Sequence, residues 1–221
     1  MTRSVANLID HTLLSPTATD SDIQRLCREA REYSFKAVCV AGSRLEFASG
    51  LLSGSGVLLA AVVGFPHGNA STEAKVCEAM AYMKLGADEL DVVLNTGWAR
   101  SGEEDRVARE LELLRESTAG RTLKLILETC YLKDDEKRKI CRMAMEAGWD
   151  FVKTSTGFGP AGATLSDVRL MKDTVGDAMG IKASGGIRDY ETARKYMEAG
   201  ATRIGTSSGP AILLGEKNSK S

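Results

Sequence analysis

The feature that most restricts this chain is an alternation. A short run rich in β-branched residues is followed by a stretch with helical periodicity, and the pair recurs along the whole sequence. Eight such runs are readable as strands, at residues 8–12, 37–40, 57–64, 89–95, 122–128, 151–155, 180–183 and 202–205. Between them lie helices such as 72–85, where Val76, Met80 and Met83 fall at i, i+4 and i+7 on one face. Another helix follows Pro160, with Thr164 and Asp167 three residues on forming an N-cap signal. The helix ends repeat as well: Gly86, Gly148 and Gly200 each stand where a helix stops and a strand begins, 62 and 52 residues apart. Each interval holds two strand-plus-helix units, and 221 residues over eight units is about 28 apiece. Alternating units of this kind build a parallel sheet covered by helices. Eight of them predict an α/β fold, a closed (β/α)8 TIM barrel. A doubly wound open sheet competes, but the count of eight and the lack of Gly-x-Gly-x-x-Gly after the first strand disfavour it. No linker divides the chain, so a single domain over 1–221 is expected, with residues 215–221 as a frayed tail.

Composition excludes several functions. With 29 basic and 30 acidic residues the formal charge is -1, whereas a nucleic-acid surface needs a basic excess to displace counterions. No apolar run reaches the ~20 residues of a membrane helix, so no membrane partner is expected. The first ten residues lack a basic region followed by an apolar one, and no secretion leader is expected there. Five cysteines, each set in apolar sequence with no Cys-x-x-Cys pair, read as small buried hydrophobes of a reducing cytoplasm and not as a metal site.

The informative residues are those that break the rule that parallel strands are apolar on both faces. Asp91 interrupts the fourth run, Lys124 and Glu128 flank Ile126 in the fifth, and Lys153 and Lys182 sit inside the sixth and seventh. One reading is a set of internal ion pairs, with Asp91 and Glu128 neutralising Lys153 and Lys182. The residues fall near the C-terminal ends of separate strands, however, and in a barrel those ends form the active-site rim. Desolvation also makes a functionless ion cluster costly. Two lysines together point to imine chemistry. An amine nucleophile must be neutral, and burial plus a second cation lowers its pKa. Bringing it from ~10.4 to near 7 takes roughly 4 kcal/mol of differential interaction. One lysine would then attack a carbonyl while the other stays charged and a carboxylate moves protons.

Two glycine loops point to a phosphate. Ser184-Gly185-Gly186 follows the seventh strand, and Gly205-Thr206-Ser207-Ser208-Gly209 follows the eighth and opens a helix. Barrels often bind phosphate between these two loops through backbone N–H groups. Asp10, Lys124 and Thr156 are further candidates for lining the site, and His67 reads as an ordinary loop histidine. The run from Lys133 to Lys139 reads as a solvated helix face.

These residues lie in strings that resemble the 2-deoxyribose-5-phosphate aldolase family, class I (Schiff-base) aldolases with a barrel fold. The strings are Leu8-Ile9-Asp10-His11-Thr12-Leu13-Leu14, Val38-Cys39-Val40, Gly64-Phe65-Pro66, Gly86-Ala87-Asp88-Glu89-Leu90-Asp91-Val92-Val93 and Leu125-Ile126-Leu127-Glu128-Thr129. Further on come Phe151-Val152-Lys153-Thr154-Ser155-Thr156-Gly157-Phe158, Lys182-Ala183-Ser184-Gly185-Gly186-Ile187-Arg188 and Arg203-Ile204-Gly205-Thr206-Ser207-Ser208. The resemblance implies that Lys153 is the imine-forming nucleophile, with Asp91 and Lys182 as proton-transfer partners. It implies that Gly185, Gly186, Gly205, Ser207 and Ser208 hold the phosphate. The implied reaction is reversible cleavage of 2-deoxy-D-ribose 5-phosphate to acetaldehyde and D-glyceraldehyde 3-phosphate. The implied partners are a small phosphorylated sugar and a short aldehyde, with no cofactor, no metal, and a homo-oligomer, dimer or tetramer, in the cytoplasm. Departures from the family pattern are Ala41-Gly42, where Asn-Pro is common, His67 after Gly-Phe-Pro, Asn95-Thr96-Gly97-Trp98, and the absence of a tyrosine near the end. The residues leave two other readings open: a barrel that binds a phosphorylated ligand without turnover, and a Schiff-base aldolase for a different phosphorylated substrate.

Overall fold

The structure, a computed structural model, describes residues 4–219. The strands are β1 (Ile9–Leu13), β2 (Ala37–Val40), β3 (Leu58–Val63), β4 (Glu89–Val93), β5 (Thr122–Ile126), β6 (Phe151–Lys153), β7 (Gly180–Ser184) and β8 (Arg203–Thr206). They pair in chain order, all parallel, and β8 returns to β1, so the sheet closes into the expected barrel. An open sheet would have left β1 with one partner; here it pairs with both β2 and β8. The helices are α1 (Asp20–Glu32), α2 (Leu45–Leu52), α3 (Thr72–Lys84), α4 (Thr96–Ser101), α5 (Glu104–Ser117), α6 (Asp134–Glu146), α7 (Leu165–Val175), α8 (Tyr190–Glu198) and α9 (Gly209–Asn218). Among the described residues no helix is long and apolar enough to cross a membrane.

Local chemistry starts and stops these helices. Thr164 Oγ1 accepts from the Asp167 N–H at 3.0 Å and opens α7. Thr19 and Asp22 form a reciprocal capping box at the start of α1. The three repeated glycines close α3, α6 and α8 in the same way. Gly86 N–H donates to Met83 O at 3.2 Å and Ala87 N–H to Tyr82 O at 3.0 Å, with Gly86 at φ +97°. Gly148 and Gly200 repeat both bonds, and a left-handed residue at this position spares the last carbonyls from going unpaired.

Strand alternation divides the core in two. Outward residues such as Val38, Leu90, Val92, Leu125, Val152 and Ile204 pack with the helices into one apolar layer. Each fully buried side chain of this size contributes about 1.5–3 kcal/mol. Inward residues include a small apolar cluster at Cys39, Ala60 and Val62. Elsewhere the interior also buries charged side chains, Asp10, Glu89, Asp91, Lys124, Lys153, Lys182 and Arg203.

Four expectations change. On α3, Val76 and Met83 of the expected face pack partly buried against the core, but Met80 is 44% exposed and the fully buried residues are Lys75 and Ala79. Lys75 is buried because its ammonium donates to Glu110 Oε1 at 2.6 Å and to Val93 O at 2.8 Å. Cys77 is exposed and Cys130 half-buried, so only Cys27, Cys39 and Cys141 are the buried hydrophobes expected of all five. In the charged run that opens α6, Lys137 is not solvated; it bridges to Asp167 at 2.6 Å. The tail expected to fray from Gly215 is helical through Asn218, and Glu216 ties it to Ser4 Oγ at 2.8 Å. Lys220 and Ser221 lie outside the described residues.

Candidate active site

Parallel pairing sets the inward residues of β4 to β8 side by side. Asp91 stands beside Lys124, and Lys153 beside Lys182. Asp91 is the hub. Its Oδ1 accepts from Lys124 Nζ at 2.7 Å, and its Oδ2 from both Lys153 Nζ and Lys182 Nζ at 2.7 Å. Lys182 also donates to Asp10. Below this layer Arg203 holds Asp10 Oδ1 at 2.7 Å and Glu89 Oε2 at 2.9 Å, and Lys124 reaches Glu89 at 2.6 Å. Glu89 and Arg203 were overlooked as members of the cluster. The same signal, a charge in a buried strand, was there for both.

Asp10, Glu89 and Asp91 thus face Lys124, Lys153, Lys182 and Arg203, and none is more than 5% exposed. Fully ionised, the cluster has one cation too many, and a buried unpaired charge is strongly unfavourable. The cluster balances when one amine is neutral. Burial holds Lys153 below the ordinary lysine value; Asp91 pulls the other way, and the Lys182 charge adds to the depression. Burial acts on Lys182 too, but Asp10 and Asp91 more than offset it and keep that ammonium above the ordinary value. Lys124 is likewise held up, by Asp91 and Asp10 against its burial. Of the three lysines, Lys153 alone is pushed toward the neutral form.

Lys153 is also the lysine that opens outward. It lines a pocket of about 440 Å³ at the C-terminal ends of the strands, with Thr12, Thr156, Gly185, Gly186, Gly205 and Ser207. Asp91, Lys182, Asp10 and Lys124 lie beneath the pocket and not on its wall. Ser208 is also off the wall: it caps α9, and its N–H donates to Thr206 Oγ1 at 2.9 Å. Gly186 has φ +86° and open space where a side chain would project. Gly205 is a glycine for a different reason. A Cβ there would lie 2.9 Å from Ser184 Cβ and 3.1 Å from Lys182 Cε, so its absence makes room for the Lys182 stem. Arg188, exposed on the pocket rim, was overlooked as a candidate. His67 is outside this pocket, in a separate small cavity. Among the described residues no three His, Cys, Asp or Glu side chains are grouped to hold a metal ion.

Glu128 does not join the lysines as expected. The strand ends at Ile126, and Glu128 takes a left-handed backbone (φ +52°) that turns its carboxylate away from the axis and onto Thr156.

A family model for DeoC/LacD family aldolases matches residues 4–215. The chain belongs to the DeoC/LacD aldolase family. A deoxyribose-phosphate aldolase of Thermococcus gammatolerans is 51% identical over 220 residues, 98% of each chain. Another, of Carboxydothermus hydrogenoformans, is 50% identical over 215 residues, 96% of this chain and 94% of that one. Among solved structures, the tetrameric deoxyribose phosphate aldolase of Aeropyrum pernix superposes with a TM-score of 0.90 at 37% identity, covering 96% of this chain and 91% of that one. One departure of this DeoC/LacD aldolase has a packing reason. A Cβ on Gly42 would lie 2.0 Å from Tyr82 Cζ, and that tyrosine donates to Glu78, which in turn accepts from the Gly64 N–H.

Proposed function

We propose that this aldolase reversibly cleaves 2-deoxy-D-ribose 5-phosphate to acetaldehyde and D-glyceraldehyde 3-phosphate through an imine on Lys153. The observation that carries the reading is that Lys153, alone among the three lysines of the barrel interior in being held below the ordinary lysine value, is also the one lysine on the pocket wall, 2.7 Å from a carboxylate it shares with Lys182. The names of its close relatives support the substrate.

In the cleavage direction the neutral Lys153 amine adds to the C1 aldehyde of the open-chain sugar, and loss of water leaves a protonated imine. A proton leaves the C3 hydroxyl, the C2–C3 bond breaks, and its electron pair moves into the imine to give an enamine. D-Glyceraldehyde 3-phosphate departs. Protonation of the enamine carbon and hydrolysis then release acetaldehyde and free Lys153. Asp91 and Lys182 are the partners for these proton movements, because the oxygen that accepts from Lys182 is the one that faces Lys153. The phosphate binds at the loops of Gly185, Gly186, Gly205 and Ser207, with Ser208 at the start of α9 and Arg188 at the rim. The iminium is the electron sink, so turnover is expected to survive a chelator. The enzyme works as a cytoplasmic homo-oligomer, a dimer or tetramer, a reading supported by the tetrameric Aeropyrum relative and by free cysteines.

The test is borohydride trapping. With acetaldehyde supplied, a reduced two-carbon adduct should map to Lys153, and Lys153→Ala should abolish both adduct and turnover. An adduct on Lys182, or no cleavage of 2-deoxyribose 5-phosphate by the unaltered protein, overturns the reading.

A further inference from the structure

Glu128 is a buried carboxylate, 3% exposed, that the proposed chemistry leaves without a task. Its left-handed backbone is one that residues with side chains rarely adopt. Both of its carboxylate oxygens accept from the Thr156 N–H at 3.3 Å, Oε2 also accepts from Thr156 Oγ1, and the Cys130 thiol reaches Oε1 at 3.9 Å. Thr156 Oγ1 in turn accepts from the Phe158 N–H at 3.0 Å. The hydroxyl proton is therefore committed to Glu128, which acts as an acceptor in every one of these contacts. An ionised carboxylate can do that and an amide cannot.

Glu128 lies off the substrate pocket, on a separate cavity of about 70 Å³, and Thr156 and Phe158 line both. Thr156 is the third residue after Lys153. Further along the same segment, Ala163 N–H donates to Ser184 O at 3.0 Å and to Gly185 O at 3.2 Å. Gly162 sits so close that a Cβ there would lie 2.3 Å from Gly185 O. One stretch of chain thus runs from the reacting lysine to the Gly185 loop. It is pinned at the near end by Glu128 and at the far end by the loop itself.

We propose that Glu128 is a positioning residue, which through Thr156 sets the spacing between Lys153 and the Gly185 loop and so governs how a phosphorylated substrate spans the two. This rests on the function proposed above. The experiment takes the full chain and its Glu128→Gln, Thr156→Val and double variants. It measures KM and kcat for 2-deoxyribose 5-phosphate, borohydride trapping of acetaldehyde on Lys153, and the melting temperature.

In Glu128→Gln the amide N–H confronts the Thr156 N–H, and KM for the phosphorylated sugar should rise tenfold or more. The two-carbon aldehyde, which spans nothing, should still be trapped within twofold of the unaltered rate. Thr156→Val removes the hydroxyl bond of the same link, leaving the backbone N–H bonds and Glu128 itself in place, and should also raise KM. The double variant should be no worse than the poorer single, because both act through one contact. An unchanged KM in the folded variants overturns the proposal, as does a loss of trapping that parallels the loss of turnover, or single-variant effects that multiply. If the unaltered protein neither traps at Lys153 nor cleaves the sugar, the function proposed above fails. If it does both and Glu128→Gln behaves identically, this inference alone fails.

Discussion

Replacing Lys182 by methionine tests the charge balance of the barrel interior. The two lysine nitrogens are each 2.7 Å from Asp91 Oδ2, so they lie within twice that distance of each other. Two unit charges about 5 Å apart repel by about 3 kcal/mol at an effective dielectric constant of about 20. That corresponds to about 2 pH units at 1.36 kcal/mol each. The count of charges gives the same sign. Without Lys182, three carboxylates face three cations, and Lys153 must stay protonated to complete the balance. Its pKa should therefore rise in Lys182→Met. The neutral fraction at pH 7 then falls by about 100-fold, one factor of ten for each unit. Met keeps the length of the stem, and Asp10 retains Arg203, so the fold has no buried carboxylate without a partner. The assay is the rate of borohydride trapping of acetaldehyde on Lys153 against pH, which isolates imine formation from cleavage. The alkaline limb should move upward by about 2 units, so raising the pH recovers much of the lost rate. A profile of unchanged shape and reduced height would refute the electrostatic argument and leave Lys182 with proton transfer alone.

The two glycine loops should respond differently to a side chain. Gly186→Val projects into open pocket, so it should lower the rate and affinity for 2-deoxyribose 5-phosphate while acetaldehyde trapping persists; equal harm to both makes the loop a mere turn. Gly205→Ala forces its Cβ against Ser184 and Lys182, so trapping itself should fall, with about 1–3 kcal/mol of lost stability by chemical denaturation; retention of both excludes the packing role. The fold should also weaken in acid. Burial alone would raise Asp10 and Asp91, but the surrounding lysines, with Arg203 beside Asp10, hold both below the ordinary carboxylate range. Their pairing therefore stabilises the protein above the unfolded-state value of about 4 and is lost as pH falls below it, by about 1.4 kcal/mol per unit and group. The melting temperature should be level from pH 7 to about 5 and drop below about 4; a level curve to pH 3 would exclude the linkage.

Much of this was legible in the sequence because it is local. Strand runs, helix periodicity and the glycines at 86, 148 and 200 are set by neighbours within a turn, and they predict eight units and a closed barrel without knowledge of any distant contact. Lys153, Lys182 and Asp91 stood out for the same reason, as charges in strands that should be apolar. Where the signal was local but weak, as on α3, the expected face held at Val76 and Met83 but not at Met80, and Lys75 was missed, because a lysine can be buried once a distant Glu110 satisfies it. Partnership was not legible. Asp91 meets Lys153 and Lys182 across 62 and 91 residues, and Arg203 meets Asp10 across 193. Those distances are fixed by strand order, register and closure, and Coulomb and hydrogen-bond energies depend on ångström separations that no spacing along the chain encodes. Sequence alone could therefore nominate the charges. Only the closed barrel could count them together, leave Lys153 as the surplus cation, and turn Glu128 away from the lysines toward Thr156.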